Sequence, residues 1–153
     1  MAIRNIRKED DPVLYKVARP VENFDERLHM LLDDMADTMY DANGVGLAGN
    51  QVGILRRVVV IDVGDGLIEL VNPRIISTAG VQGGMEGCLS FPGQSGYVER
   101  PNEVVCAAFD RHGELHEYHA TELFARAILH ETYHLDGKVY LRLVTDPPED
   151  FEE

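Results

Sequence analysis

ILHETYHLDG, residues 128–137, sets two histidines one helical turn apart with a glutamate directly after the first. The flanking residues predict a helix running from Thr121, a type that caps helix N-termini, to about Leu135, closed by Gly137. On such a helix Leu123, Ala127, His130 and His134 follow at steps of three and four, so the imidazoles continue an apolar, core-facing stripe. Phe124, Ile128, Glu131 and Leu135 form the neighbouring stripe. Two imidazoles so placed can turn ring nitrogens to one cation, with Glu131 close enough to take a proton from a water beside it. The bland alternative, a pair of core histidines next to a solvated glutamate, buries polar groups that then need other partners.

Outward from this helix the pattern is mixed. NFDERLHMLLDDMADTMYDANG (23–44) places Leu28, Leu31, Leu32, Met35 and Met39 at helical spacing, with acids at its start and Asn43-Gly44 as a stop. RRVVVIDV (56–63) and LIELVNPRII (67–76) read as strands joined by a turn at Gly64-Asp65-Gly66. GYVERPNEVVCAAFD (96–110) and ELHEYHA (114–120) flank Arg111-His112-Gly113 in the same way, with a break or edge at Pro101. Helix, antiparallel strands and helix make an α+β class: one small domain, residues 1–145, with antiparallel strands packed around a central metal-binding helix. Residues 146–153 form an acidic, proline-containing tail expected to be loose.

The chain has 153 residues and 14 basic against 27 acidic side chains, a formal charge of −13. That charge repels phosphate backbones and anionic lipid, which argues against direct DNA binding. MAIRNIRKEDD at the start lacks the apolar run of a secretory signal, and no segment is long and apolar enough to span a membrane, so the expected location is the cytoplasm. There the two cysteines, Cys88 and Cys106, stay reduced.

A catalytic site built on His130 and His134 needs a third protein ligand and a position left for water. After His134 the sequence offers no further histidine, and its last acids lie in the tail. Cys88, in the glycine-flanked stretch GGMEGCLSFPG (83–93), remains, and a thiolate suits ferrous iron or zinc. Its bland reading is an ordinary buried thiol, which is the reading adopted for Cys106 within VVCAAF.

GVGLAGNQ (44–51), EGCLS (86–90) and HETYH (130–134), in that order and separation, resemble the three signature motifs of the peptide deformylase family. The similarity extends over nearly the whole chain up to the tail. It implies a metallohydrolase that removes the formyl group from N-formyl-methionyl nascent polypeptides and releases formate. The resemblance assigns Cys88, His130 and His134 to one divalent metal, usually Fe(II), with zinc, nickel or cobalt able to take its place. It makes Glu131 the general base and acid, and Gln51 with the Leu89 backbone N–H the oxyanion donors. Gly46 would pair with the extended substrate, while Val45, Glu86, Leu123 and Ala127 would line a methionine pocket. A bacterial-type cytoplasm, or an organelle descended from one, follows from the substrate, as does a transient ribosome contact. The rival readings are a hydrolase for another acyl group and a relative that binds metal or nascent chains without turnover.

Several positions depart from the family pattern: Gly49 where alanine is usual, Leu129 for glutamine, Tyr133 for aspartate, and Glu122 where glycine is common. Residues 122, 126, 129 and 133 share a flank away from the ligand stripe. There the spacing predicts a Glu122–Arg126 ion pair and a Leu129–Tyr133 contact in place of a polar arrangement behind the histidines, the bland alternative being neutral drift on a helix flank.

Overall fold

The computed structural model describes residues 2–152. Helix α1 (Glu26–Asp41) forms where the apolar positions recur on one face. The Asp25 carboxylate caps it by accepting from the Leu28 N–H at 3.1 Å. Asn43 turns the chain out of the helix in the left-handed conformation (φ 58°), and the Gly44 N–H closes on the Met39 carbonyl at 2.9 Å.

The strands among the described residues are β1 (Gly46–Ala48), β2 (Val58–Ile61), β3 (Ile68–Ala79), β4 (Gln82–Cys88), β5 (Phe91–Arg100), β6 (Glu103–Phe109) and β7 (Leu115–Thr121). Helix α2 (Glu122–Leu135) follows, then β8 (Val144–Thr145). All pairings of these strands are antiparallel, in a five-stranded sheet ordered β1-β2-β3-β6-β7 and a three-stranded one ordered β4-β5-β8.

Strand β2 shows how the layers assemble. Its four residues are all buried. Val58 and Val60 join the cluster under α1, while Val59 and Ile61 join Ala125, Ile128 and Leu135 of α2. Alternation along the strand thus puts the two helices on opposite faces of the large sheet, and each side chain so buried contributes about 1.5–3 kcal/mol. A third cluster, Leu14, Phe91, Val98, Val139 and Tyr140, packs against Cys88 under the small sheet.

The α+β class and both hairpins stand as the sequence implies, with Ile61 opposite Ile68 and Phe109 opposite Leu115. Pro101 and Asn102 form the link at which the chain passes from the small sheet to the large one. One strand appears where the sequence assigned no element, and two features differ from expectation. The glycine-rich segment before Cys88 is a strand, held by its pairing with β5 despite glycine's poor strand propensity. Thr121 stands at the N-cap of α2 but caps nothing with its side chain, because it is still the last extended residue of β7. The reversal falls on Glu122, at φ 54°. In the tail Phe151, its one aromatic residue, is half-buried with its ring edge-on to Tyr97 at 4.7 Å.

Candidate active site

Helix α2 brings His130 and His134 beneath the end of β4, where Cys88 is the last residue. The donor atoms of Cys88, His130 and His134 all lie within 4.8 Å of one another, and Cys88 Sγ is 3.2 Å from His134 Nε2. The imidazoles meet at 66° with centroids 5.1 Å apart. Cys88, His130 and Glu131 open on a cavity of about 430 Å³, with His134 fully buried behind them. Gln51, Leu89, Val45, Gly46, Glu86, Leu123 and Ala127, all expected at the site, line the same cavity.

The electrostatics favour a cation here. Burial opposes a charge on His130, but the Cys88 sulfur, Glu131 and Glu86 outweigh it and push the imidazole up to about 10. His134, buried and facing His130, is held well below the usual histidine range. One thiolate and two imidazoles form a donor set that suits Fe(II) or zinc, so these residues fit a divalent metal.

Glu131 lies beside that point. Burial raises its carboxyl to about 7, only partly offset by His130, and its Oε1 has no hydrogen-bond partner among the described residues. Space for it depends on Gly46, since a Cβ there would sit 2.6 Å from Glu131 Oε2. Gln51, on the 3-10 turn Gly49–Val52, is locked by its Oε1 accepting from the Ala48 N–H at 2.9 Å. Its Nε2 then faces Cys88 Sγ at 3.4 Å and Ser90 Oγ at 3.2 Å. Gly49 is forced by the same turn: a Cβ there would lie 2.6 Å from the Arg56 carbonyl and 2.7 Å from that of Ile54.

Glu86 lines the cavity, yet its carboxylate is not open to it. Oε1 meets His130 Nδ1 at 2.9 Å and Arg100 Nη2 at 2.8 Å, while Oε2 accepts from Arg100 Nε at 2.7 Å and Arg126 Nη1 at 2.6 Å. Burial alone would raise this acid, but the bonds from Arg100 and His130 hold it well below the usual carboxylate range. Its geometry orients His130 through Nδ1 and leaves Nε2 for the cation, the arrangement that fixes a ligand histidine. The expected Glu122–Arg126 pair is absent, because Arg126 is buried and turned to Glu86. Residue 126 therefore does not belong to an outer flank. Leu129 packs on the core cluster under α2, and Tyr133 lies under the Lys138 ammonium, 5.6 Å from its ring centroid.

Arg100, Ser90 and Tyr140, whose ring centroid lies 5.7 Å from that of His130, are residues the sequence did not mark for the site, while Arg126 was read only as a partner of Glu122 on an outer flank. Ser90 lay inside a quoted motif; the others carried no local signal.

Residues 3–148 match the sequence model of the family described as polypeptide deformylase. The chain belongs to the peptide deformylase family. The peptide deformylase of Alkaliphilus metalliredigens is 57% identical over 140 residues, 92% of this chain and 95% of that one. That of Acetivibrio thermocellus is 56% identical, over 92% of this chain and 82% of its own. The crystal structure of the Thermotoga maritima peptide deformylase superposes with a TM-score of 0.94 at 37% identity, covering 95% of this chain and all of the other. Peptide deformylases are hydrolases that use a divalent metal, and this member brings together a Cys/His donor set able to hold one. No helix among the described residues is long and apolar enough to cross a membrane.

Proposed function

We propose that this protein hydrolyses the formyl amide of N-formyl-methionyl nascent polypeptides, releasing formate and a free amino terminus. The observation that carries this is the convergence of Cys88, His130 and His134 with Glu131 on one cavity. Cys88, His130 and His134 would hold the divalent metal, Fe(II) in the physiological case and zinc, nickel or cobalt otherwise. Once bound, that cation acidifies water and polarises the formyl oxygen.

The chain's own groups do the rest. Glu131, already raised to about 7 by burial, takes the proton of the attacking water and returns it to the leaving amine as the C–N bond breaks. Gln51, whose Nε2 is aimed at the Cys88 side of the cavity, and the Leu89 N–H stabilise the oxyanion. The backbone at Val45 and Gly46 takes the extended peptide, and Leu123 and Ala127 wall the methionine side chain. Glu86 backs that wall with its carboxylate engaged elsewhere.

The substrate places the enzyme in a bacterial-type cytoplasm, or in an organelle of that descent, within reach of the ribosome that makes the chain. Formate release from formyl-methionyl tripeptides, measured anaerobically on iron-loaded protein beside unformylated controls, tests this reading. Cleavage of the unformylated peptides instead would overturn it.

A further inference from the structure

Arg126 is the one guanidinium in the wall of the active-site cavity among the described residues, set between Leu123 and Ala127. Its Nη1 donates to Glu86 Oε2 at 2.6 Å and to the Val98 carbonyl at 3.2 Å, and its Nε to Gln82 Oε1 at 3.3 Å. Nη2 donates to no described residue. Beside Nη2 the facing strand carries Gly84, where a Cβ would lie only 3.3 Å away, so the absence of a side chain keeps that space open. Glu86 is also claimed by Arg100, leaving two buried guanidinia to share one carboxylate. Nη2 keeps some contact with solvent, and a ligand that brings an acceptor there exchanges water for a charge-assisted hydrogen bond.

We propose that Arg126 tunes this cavity to N-formyl peptides whose first side chain ends in an uncharged hydrogen-bond acceptor, methionine sulfoxide being the fitting case. The inference rests on the deformylase reading above. Methionine sulfoxide keeps the chain length of methionine and adds one oxygen, whereas the thioether sulfur accepts only weakly. That oxygen takes the free Nη2 protons. A carboxylate side chain of similar reach would instead meet Glu86. Formylated chains whose first methionine has been oxidised thus remain substrates.

The test compares kcat/KM for formyl-methionyl, formyl-methionine-sulfoxide and formyl-norleucyl tripeptides with metal-loaded wild type, Arg126→Leu and Gly84→Val. The second variant crowds Nη2 without removing an ion pair. In wild type the sulfoxide is processed within about threefold of methionine, while either variant lowers the sulfoxide-to-methionine ratio roughly tenfold, the worth of one charge-assisted hydrogen bond. Calorimetric binding of the unformylated product tripeptides follows the same order without turnover. A ratio unchanged in both variants, or wild type rejecting the sulfoxide outright, overturns the role of Arg126. Failure to turn over formyl-methionine at all counts against the deformylase reading itself.

Discussion

Replacing Glu86 by glutamine keeps the shape of the side chain and removes its charge from between Arg100 and Arg126. Both arginines stay where they are, 5% and 8% exposed, with no other carboxylate within salt-bridge distance among the described residues. Breaking a buried pair from one side costs about 3–5 kcal/mol, because the remaining charge is left without a counter-charge. Against a total stability of about 5–15 kcal/mol this is a fifth or more. Urea unfolding of metal-free protein near neutral pH reads it as a lower midpoint with an unchanged slope. The pH dependence supplies a second check. Glu86 has its folded pKa held below the ordinary 4.5, so its contribution is present above that value and is lost as pH falls through the folded one. The gap between wild type and Glu86→Gln should narrow in acid. A loss below about 1 kcal/mol at neutral pH, or a gap that stays constant in acid, would refute the reasoning.

Glu122→Gly removes a non-glycine residue from φ 54° and should raise stability by about 1 kcal/mol; a lower midpoint would contradict the strain assigned there. Gly49→Ala, which restores the usual family residue, should instead cost about 1–3 kcal/mol, because its methyl meets two carbonyls at 2.6 and 2.7 Å. A neutral effect in urea unfolding would show that the turn gives way. Metal-free Glu131→Gln should gain on wild type by about 3 kcal/mol as pH rises from 4.5 to 7. The sign follows because an acid with a raised folded pKa stabilises fully below its unfolded value and loses that contribution as pH rises through the folded one. Parallel stability curves for the two proteins would contradict it.

The ligand stripe was legible because it is periodic. His130, His134 and Ala127 repeat at helical steps and are buried together, whereas Leu123, expected on the same core-facing stripe, is half exposed at the cavity wall because it lies in the first turn of α2. The hairpins were legible for a similar reason, through alternation and glycine turns. Glu86 was expected at the site through the resemblance, but its role as shared counter-charge was not legible, because its partners at 100, 126 and 130 reach it only after β4, β5 and α2 have packed. The expected Glu122–Arg126 pair failed on backbone conformation. Spacing of four residues brings side chains together only if both are helical, and Glu122 sits in the left-handed region at φ 54°. Strand β4 received no assignment from the sequence, because its glycines carry no alternating pattern, and it is defined only by its pairing with β5.

The most direct test is formate release from a formyl-methionyl tripeptide by anaerobically prepared, iron-loaded protein, with Glu131→Ala prepared identically. Loss of the general base should lower kcat by about 10²–10⁴-fold while the metal stays bound to Cys88, His130 and His134. An inactive wild type, or a Glu131→Ala variant as fast as wild type, would contradict the assignment.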